Sequence, residues 1–300
     1  MPGTTHREVV LITGCSSGIG RAAAISLHQA GLRVYATARQ VGTLADLASR
    51  GIDTLALDVT DEPSMTRAVA SVEADAGAIG VLINNAGYGL YGPVEQQPMT
   101  EIRRQFETNF FGVVRLTQLV LPGMRRRGGG RILNVSSMGG RATLPGGAFY
   151  HASKYAVEAL SDALRMEVAQ FGIDVILIEP GPVKTLWNRV AAESMSTAVP
   201  GALGDGASGS SAEAAADPDP YLAYKSAVGA SFAAAQTGPL GRLGSTAEDI
   251  AKVITHAVTT PRPRTRYLIG PIAKSVVTMN RLLPGRAYDN VLRRQYRLPH

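Results

Sequence analysis

Short apolar runs recur along the chain at Val9–Ile12, Arg33–Ala38, Thr54–Leu57, Val81–Ile83, Ile132–Val135 and Asp174–Ile178, with Tyr267-Leu268-Ile269 as a possible seventh. Runs this short, not polar at every second place, predict strands buried on both faces. Amphipathic segments fall between them. Ala22–Ala30 predicts a helix that stops at Gly31. Residues 151–170 predict another, because Ala152, Ala156, Leu160 and Leu164 suit a helix and no β-branched run interrupts them. Strand and helix in alternation predict an α/β fold: one doubly wound parallel sheet with crossover helices on both faces. There is no internal repeat of fixed period.

Composition narrows this picture. Three hundred residues, 45% of them hydrophobic, can bury one large core, and the chain reads as a single domain over 1–300. Its character changes between Trp187 and Leu240, and Gly201 to Pro220 is rich in Gly, Ala, Ser and Asp. That composition gives little apolar burial and high chain entropy. Short helical pieces are expected there around Tyr221–Ala235.

The formal charge of +6 is uneven: residues 262–300 hold nine Lys or Arg and one acid, Asp289, so the tail carries +8 and residues 1–261 carry −2. The main domain is not basic, which argues against nucleic-acid binding. The basic extension 271–300 also carries Ile272, Val276, Val277, Met279, Leu282, Leu283, Val291 and Leu292. Such a segment can lie on an anionic membrane as a peripheral contact, or pack on its own domain or on a second subunit. Packing is the favoured expectation. Arg125-Arg126-Arg127 reads as a solvated loop.

Cys15 is the single cysteine, so no intrachain disulfide is possible, which fits a reducing compartment. Met1 to His6 lack the apolar stretch of a signal peptide, and no run of 18 or more apolar residues suggests a membrane span. A cytoplasmic location is the default expectation, and no metal site is expected.

Two clusters carry chemistry. The first strand runs straight into Thr13-Gly14-Cys15-Ser16-Ser17-Gly18-Ile19-Gly20, followed by a helix. Strand, glycine-rich turn and helix form the context of a phosphate-binding turn, where glycines admit close backbone approach and the helix N-terminus offers free N–H groups. The spacing is Gly-x-x-x-Gly-x-Gly, so the context carries more weight than the glycines alone.

The second cluster is Tyr150 and Lys154, in Tyr-His-Ala-Ser-Lys, with Ser137 thirteen residues upstream at the end of a strand. On a helix, positions four apart share a face. A nearby ammonium favours phenolate, so Lys154 is expected to lower the pKa of Tyr150. Tyr150 would then donate or accept a proton while Ser137 anchors the substrate oxygen. Taken alone, Tyr-x-x-x-Lys reads more readily as an ordinary solvated helix face; the other motifs, in their order, reverse that.

In combination, these residues resemble the short-chain dehydrogenase/reductase family, of the single-domain, Rossmann-like type with a Thr-Gly-x-x-x-Gly-x-Gly fingerprint. The resemblance covers roughly residues 7–187, with a weaker match at 240–270. It implies an oxidoreductase that passes hydride between a nicotinamide and an alcohol or carbonyl carbon. It also implies catalytic roles for Asn109, Ser137, Tyr150 and Lys154, with Asn109, in Thr-Asn-Phe-Phe-Gly, holding a water in a proton relay. The implied cofactor-binding residues are Gly14, Ser16, Ser17, Gly18, Ile19 and Gly20 in the turn, Asp58 and Val59 at the adenine, and Asn85, Ala86 and Gly87 after the fourth strand. Tyr150, Lys154, Pro180, Gly181, Val183 and Thr185 complete that set near the nicotinamide.

The second strand ends at Ala38-Arg39, where the adenosine ribose should lie, with no acid in its last residues. An acid there would bond a ribose 2′-hydroxyl; Arg39 suits a 2′-phosphate, so NADP(H) is expected over NAD(H). The other basic marker of the family, inside the glycine loop, is missing, since Cys15, Ser16 and Ser17 are neutral.

Residues 188–238 lie where the family carries a mobile loop, and are expected to form a lid over the substrate. Tyr88, Leu90, Tyr91, Met138, Leu144, Phe149, Leu186 and Trp187 are the candidate substrate pocket. They are mostly apolar, which points to a lipophilic small molecule and, with Ala-Thr-Ala-Arg after the second strand, to similarity with the steroid- and retinol-oxidising branch. A homo-oligomer is expected, because many relatives pair through the helices that carry Asn109 and Tyr150. Two other functions share parts of this pattern: a sugar-nucleotide epimerase or dehydratase, and a non-catalytic NADP-binding sensor or scaffold.

Overall fold

The computed structural model describes residues 8–183, Met195, 219–237 and 243–299. The strands are β1 (Val9–Ile12), β2 (Arg33–Ala38), β3 (Asp53–Ala56), β4 (Val81–Asn84), β5 (Gly130–Val135), β6 (Ile173–Pro180) and β7 (Arg266–Ile269). All pair in parallel, in the order β3-β2-β1-β4-β5-β6-β7. The helices are α1 (Gly18–Gln29), α2 (Ala45–Ala48), α3 (Glu62–Ala76), α4 (Met99–Phe106), α5 (Gly112–Arg126), α6 (Ala148–Val168), α7 (Leu222–Thr237), α8 (Ala247–Thr259), α9 (Pro271–Leu282) and α10 (Gly285–Tyr296). This is the doubly wound α/β sheet that the apolar runs predict, and the seventh run is a strand.

The period of two along each strand sorts its side chains into two layers. Val10 and Ile12 of β1, Val81 and Ile83 of β4, and Ile176 and Ile178 of β6 pack with Ala23, Ala24, Leu27, Ile250 and Ile254, the layer under α1 and α8. Their neighbours Val9, Leu11, Leu82 and Val175 face the other way, onto Val69, Val72, Leu116, Val120 and Leu164 of α3, α5 and α6. On α1, Gly20, Ala23, Ala24 and Leu27 are buried, the spacing of one helix face.

One boundary departs from expectation. α1 begins at Gly18 rather than Ala22, so the glycine turn and the first helical turn overlap. Glycine is a poor helix former, but β1, β4 and the turn fix the backbone here and tertiary context overrides propensity.

Order reverses at β1, which pairs with β2 on one side and β4 on the other. In open α/β sheets the crevice outside the carboxyl ends at such a switch point is where ligands bind. A third apolar cluster lies away from the two sheet layers. It joins Tyr91, Ala142, Tyr150, Val228, Tyr288, Leu292 and Tyr296. The basic extension therefore packs on its own domain: Tyr288 Oη donates to Thr143 O at 3.0 Å and Asn280 Nδ2 to Arg141 O at 3.0 Å. Of the arginine run, Arg125 and Arg126 close α5, and Arg127 pairs with Glu8. Among the described residues no helix is long and apolar enough to cross a membrane, and no group of three or more His, Cys, Asp or Glu is placed to hold a metal.

Candidate active site

The glycine turn is laced to the end of β4. Thr13 Oγ1 accepts from the N–H groups of Asn85 and Ala86, each at 3.0 Å. Asn85 Nδ2 donates back to Thr13 O at 2.8 Å and Gly14 O at 3.2 Å. Gly14 has φ +72, and a Cβ there would lie 2.9 Å from Ala86 Cα. A Cβ on Gly20 would lie 2.4 Å from both Asn85 Nδ2 and Gly14 O. Side chains are thus excluded where the turn meets the sheet. Ser16 and Ser17 are exposed, and Ser17, the N-cap of α1, makes no side-chain cap bond, so the first N–H groups of the helix stay available to an anion. These features fit a dinucleotide pyrophosphate. Cys15 packs behind the turn, fully buried, with burial pushing its thiol up to about 12, so it is no nucleophile. Arg21 is paired with Asp46. Arg39 is exposed just past β2 and forms no ion pair among the described residues.

Asp58 lies one residue beyond Leu57, and its Oδ1 accepts from Thr60 N at 2.9 Å and Thr60 Oγ1 at 2.8 Å, a local turn. The helix cap here is Asp61, which accepts from Ser64 N. Val59 is buried against α5: a Cβ on Gly112 would lie 2.6 Å from Val59 O.

Across the sheet, Ser137 ends the β5 turn and Tyr150 and Lys154 lie one turn apart on α6, all three brought together. The Ser137 hydroxyl hydrogen-bonds the Tyr150 phenol. Lys154 is buried and its Nζ donates to Val135 O at 2.8 Å. Gly87 lies between the two halves: a Cβ there would sit 3.0 Å from Asn109 Oδ1 and 3.6 Å from Lys154 Nζ.

The electrostatics correct one expectation. Burial pushes the Tyr150 phenol up to about 12, against the lowering effect of Ser137. Burial also pushes Lys154 down to about 8, against the pull of Glu158. Burial, and not the ammonium of Lys154, dominates the phenol, which is raised where the spacing predicts a lowering. At neutral pH the phenol is protonated, a donor.

Asn109 lies in a π-helical turn, Glu107–Phe111, a distortion that recurs at functional sites. Its amide is fully engaged. Oδ1 accepts from Tyr88 N at 3.1 Å, and Nδ2 donates to Tyr88 O at 2.9 Å and to Ser153 Oγ at 3.1 Å. Ser153 Oγ donates in turn to Tyr150 O at 2.7 Å. Asn109 thus braces the segment after β4 against α6.

The pocket residues divide. Tyr91 stacks beside Tyr150, ring centroids 5.8 Å apart, and Leu144 packs on the same cluster. Tyr88 does not join them: its ring lies under the Arg104 guanidinium at 5.6 Å, and burial raises its phenol against the pull of Arg104. Leu90, Met138 and Phe149 are half-buried. Pro180 ends β6, Gly181 N donates to Ile269 O at 3.0 Å, and Val183 bridges Ser245. Thr185, Leu186 and Trp187 lie outside the described residues, as does most of the expected lid.

Several contributors are invisible to motif reading. Asn84 Nδ2 donates to Asn134 Oδ1 at 2.8 Å, and Asn134 Nδ2 to Ser161 Oγ at 2.9 Å, a buried polar ladder from β4 through β5 to α6. The available signals are Asn84, in Asn84-Asn85-Ala86-Gly87 at the close of the fourth strand, which the family resemblance implies steadies the sheet, and a lone Asn inside Ile132-Leu133-Asn134-Val135. Beneath Lys154, Arg266 of β7 pairs with Glu158, Asp162 and Glu179, the last at 2.8 Å, and Arg141 reaches Glu179 at 3.3 Å. Glu179 is fully buried. Desolvation, then the nearby Glu179, pushes the Glu158 carboxyl upward.

The chain is similar to known proteins. A family model described as short chain dehydrogenase matches residues 8–195. The chain is 35% identical over 295 residues to the uncharacterized oxidoreductase YbbO of Escherichia coli, covering 97% of this chain and 96% of that protein. It is 35% identical over 270 residues to retinol dehydrogenase 8 of Bos taurus, covering 86% of this chain and 80% of that one. Among solved structures, a short-chain dehydrogenase from Streptomyces avermitilis superposes with a TM-score of 0.72 at 34% identity, over 95% of this chain and 93% of that one.

Proposed function

This chain belongs to the short-chain dehydrogenase/reductase family of oxidoreductases acting on CH–OH groups, and on that premise we propose that it interconverts a lipophilic alcohol and its ketone or aldehyde with NADP(H). The observation that carries the reading is the buried Tyr150 phenol, bonded by Ser137 and one helical turn from Lys154, whose Nζ would lie 3.6 Å from a Cβ on Gly87.

When bound, the nicotinamide supplies or accepts the hydride. The glycine turn and the first turn of α1 hold the pyrophosphate, with Asn85 keeping the turn in shape. Asp58, Val59, Ala86 and Gly87 border the adenosine half; Pro180, Gly181 and Val183 border the nicotinamide half. Ser137 orients the substrate oxygen and Tyr150 gives it a proton during reduction or takes one during oxidation. Lys154 adds positive charge while it stays protonated, and Asn109 fixes the backbone around them. Support for a lipophilic substrate is the aromatic and aliphatic cluster around Tyr150. Support for NADP(H) is Arg39, a cation at the end of β2 with no acid beside it. The helices of the Asn109 and Tyr150 region expose Phe111, Tyr155 and Met166, which supports a homo-oligomer through that face.

The test is reduction of a panel of lipophilic ketones and aldehydes, followed by NADPH loss. In Tyr150→Phe, turnover should fall at least about a hundredfold while NADPH binding survives. Retained turnover would remove the proton-transfer role. Arg39→Asp should weaken NADPH binding about tenfold or more and spare NADH, as expected for one charge-assisted phosphate contact. A lower KM for NADH in the wild type would overturn the cofactor choice.

A further inference from the structure

His151 follows the catalytic phenol in sequence, is buried, and takes no part in the proton transfer above. Its two ring nitrogens reach separate points of the loop between β5 and α6. Nδ1 lies 3.0 Å from Gly139 O, and Nε2 lies 3.1 Å from Leu144 N. A carbonyl oxygen only accepts and an amide N–H only donates. Both bonds therefore form together in one state of the ring: neutral, hydrogen on Nδ1, lone pair on Nε2. Desolvation favours that state, pushing the imidazole down to about 4.

The backbone is shaped to the ring. A Cβ on Gly139 would lie 2.5 Å from Nδ1, and one on Gly147 would lie 2.7 Å from Nε2. Neither glycine has a positive φ, so both serve here by leaving space rather than by freeing the chain. Tyr150 and Tyr91 close on the ring edge-on, with centroids 5.5 and 6.4 Å away. Gly139 also donates its N–H to Ser137 Oγ at 3.0 Å. The contacts run in series from the Ser137 hydroxyl through the Gly139 main chain and the His151 ring to the Leu144 main chain.

We propose that His151 is a positioning residue that clamps the Ser137 turn to the Leu144 loop, and so sets where the Ser137 hydroxyl meets Tyr150. This rests on Ser137 being the oxygen anchor of the proposed reaction. The Tyr-x-x-x-Lys signature leaves position 151 open; here it holds a side chain whose two opposite hydrogen-bonding functions match the two groups it meets.

The first test needs no turnover. NMR of the full chain with isotope-labelled histidine, from about pH 8 to about pH 5, should show the His151 ring neutral with hydrogen on Nδ1 throughout. Hydrogen on Nε2, or titration at an ordinary imidazole pKa, overturns the clamp. The second test is NADPH-driven reduction of a lipophilic aryl ketone by His151→Asn, His151→Gln and His151→Ala. Asn keeps a donor near the place of Nδ1, and Gln keeps an acceptor near the place of Nε2. kcat should fall about tenfold in the Ala and Gln variants and less in Asn, one backbone hydrogen bond being the difference. KM should rise more in Asn than in Gln, because Asn frees Leu144. NADPH Kd should stay within about twofold in every folded variant. Wild-type kcat in His151→Ala, or equal kcat losses in all three, overturns the proposal. A wild type that reduces no ketone counts against the proposed function instead, and the NMR result then decides the clamp.

Discussion

Tyr150 and Lys154 titrate in the reverse of the order their spacing suggests. Four residues of helix bring the side chains to one face, but spacing does not report how much water each loses. Desolvation raises a phenol and lowers an amine, and here it moves Tyr150 up to about 12 and Lys154 down to about 8. Reduction needs phenol and a charged lysine; oxidation needs phenolate and a charged lysine. kcat/KM for ketone reduction should therefore be level through neutrality and fall above a pH of about 8, where Lys154 loses its proton. Alcohol oxidation should climb with pH and level off at that same break, as growing phenolate and shrinking ammonium offset one another. Matched pH profiles in both directions check this; reduction that quickens with rising pH would contradict it. That Ser137, Tyr150 and Lys154 come together was legible, because type and spacing single them out. Asn109 was legible in position only: that its amide is spent on Tyr88 and Ser153 depends on a π-helical turn no local pattern announces.

At the level of elements, each strand fell within two residues of its apolar run, since a strand buried on both faces has little freedom in composition. The start of α1 did not, because glycines that a helix tolerates only in its first turn look like loop. Least legible was the tie between α6, the Ser137 turn, β6 and β7 made by Arg266, Arg141, Glu158, Asp162 and Glu179, which lie up to 125 residues apart. In the sequence Arg266 counts only as part of a basic tail. Removing it in Arg266→Met strips three carboxylates of a shared cation, and should cost about 3 kcal/mol by urea unfolding. Glu158, left without a cation while Glu179 keeps Arg141 and Asp162 keeps Arg165, would then titrate higher in the folded state than in the unfolded one, so the fold binds its proton more tightly. The deficit should shrink as pH falls toward the ordinary carboxyl range. A small deficit that ignores pH would show that the network does not hold α6.

For the whole molecule, the two layers around the sheet follow from alternation along the strands, and the sequence conveyed both. The third cluster was not foreseeable as a structure. Tyr288, Leu292 and Tyr296 share one face of α10, but only the fold reveals that this face meets Tyr91 and Tyr150. What reads as a basic extension is the outer side of a helix whose inner side packs into the cluster of Tyr91 and Tyr150. Deleting 285–300 should cost several kcal/mol, at about 1.5–3 kcal/mol for each large apolar side chain re-exposed. KM for a lipophilic ketone should rise about tenfold or more while NADPH Kd holds within about twofold, as the buried side chains of α10 join the cluster of Tyr91 and Tyr150 rather than the layer beneath α1. Unchanged KM would place the substrate elsewhere.

That late closure has a consequence for the chain as it is made. The laced turn of Thr13, Gly14 and Asn85 is finished once β4 has been added, whereas Tyr296 arrives more than two hundred residues later. At about 5–20 residues per second, ten seconds or more of synthesis separate the two events. The layer beneath α1 is complete only when Ile250 and Ile254 of α8 arrive, and the cluster around Tyr150 only with Tyr296, so the turn is shored up before the chamber closes and the final helix acts as the last stone of an arch.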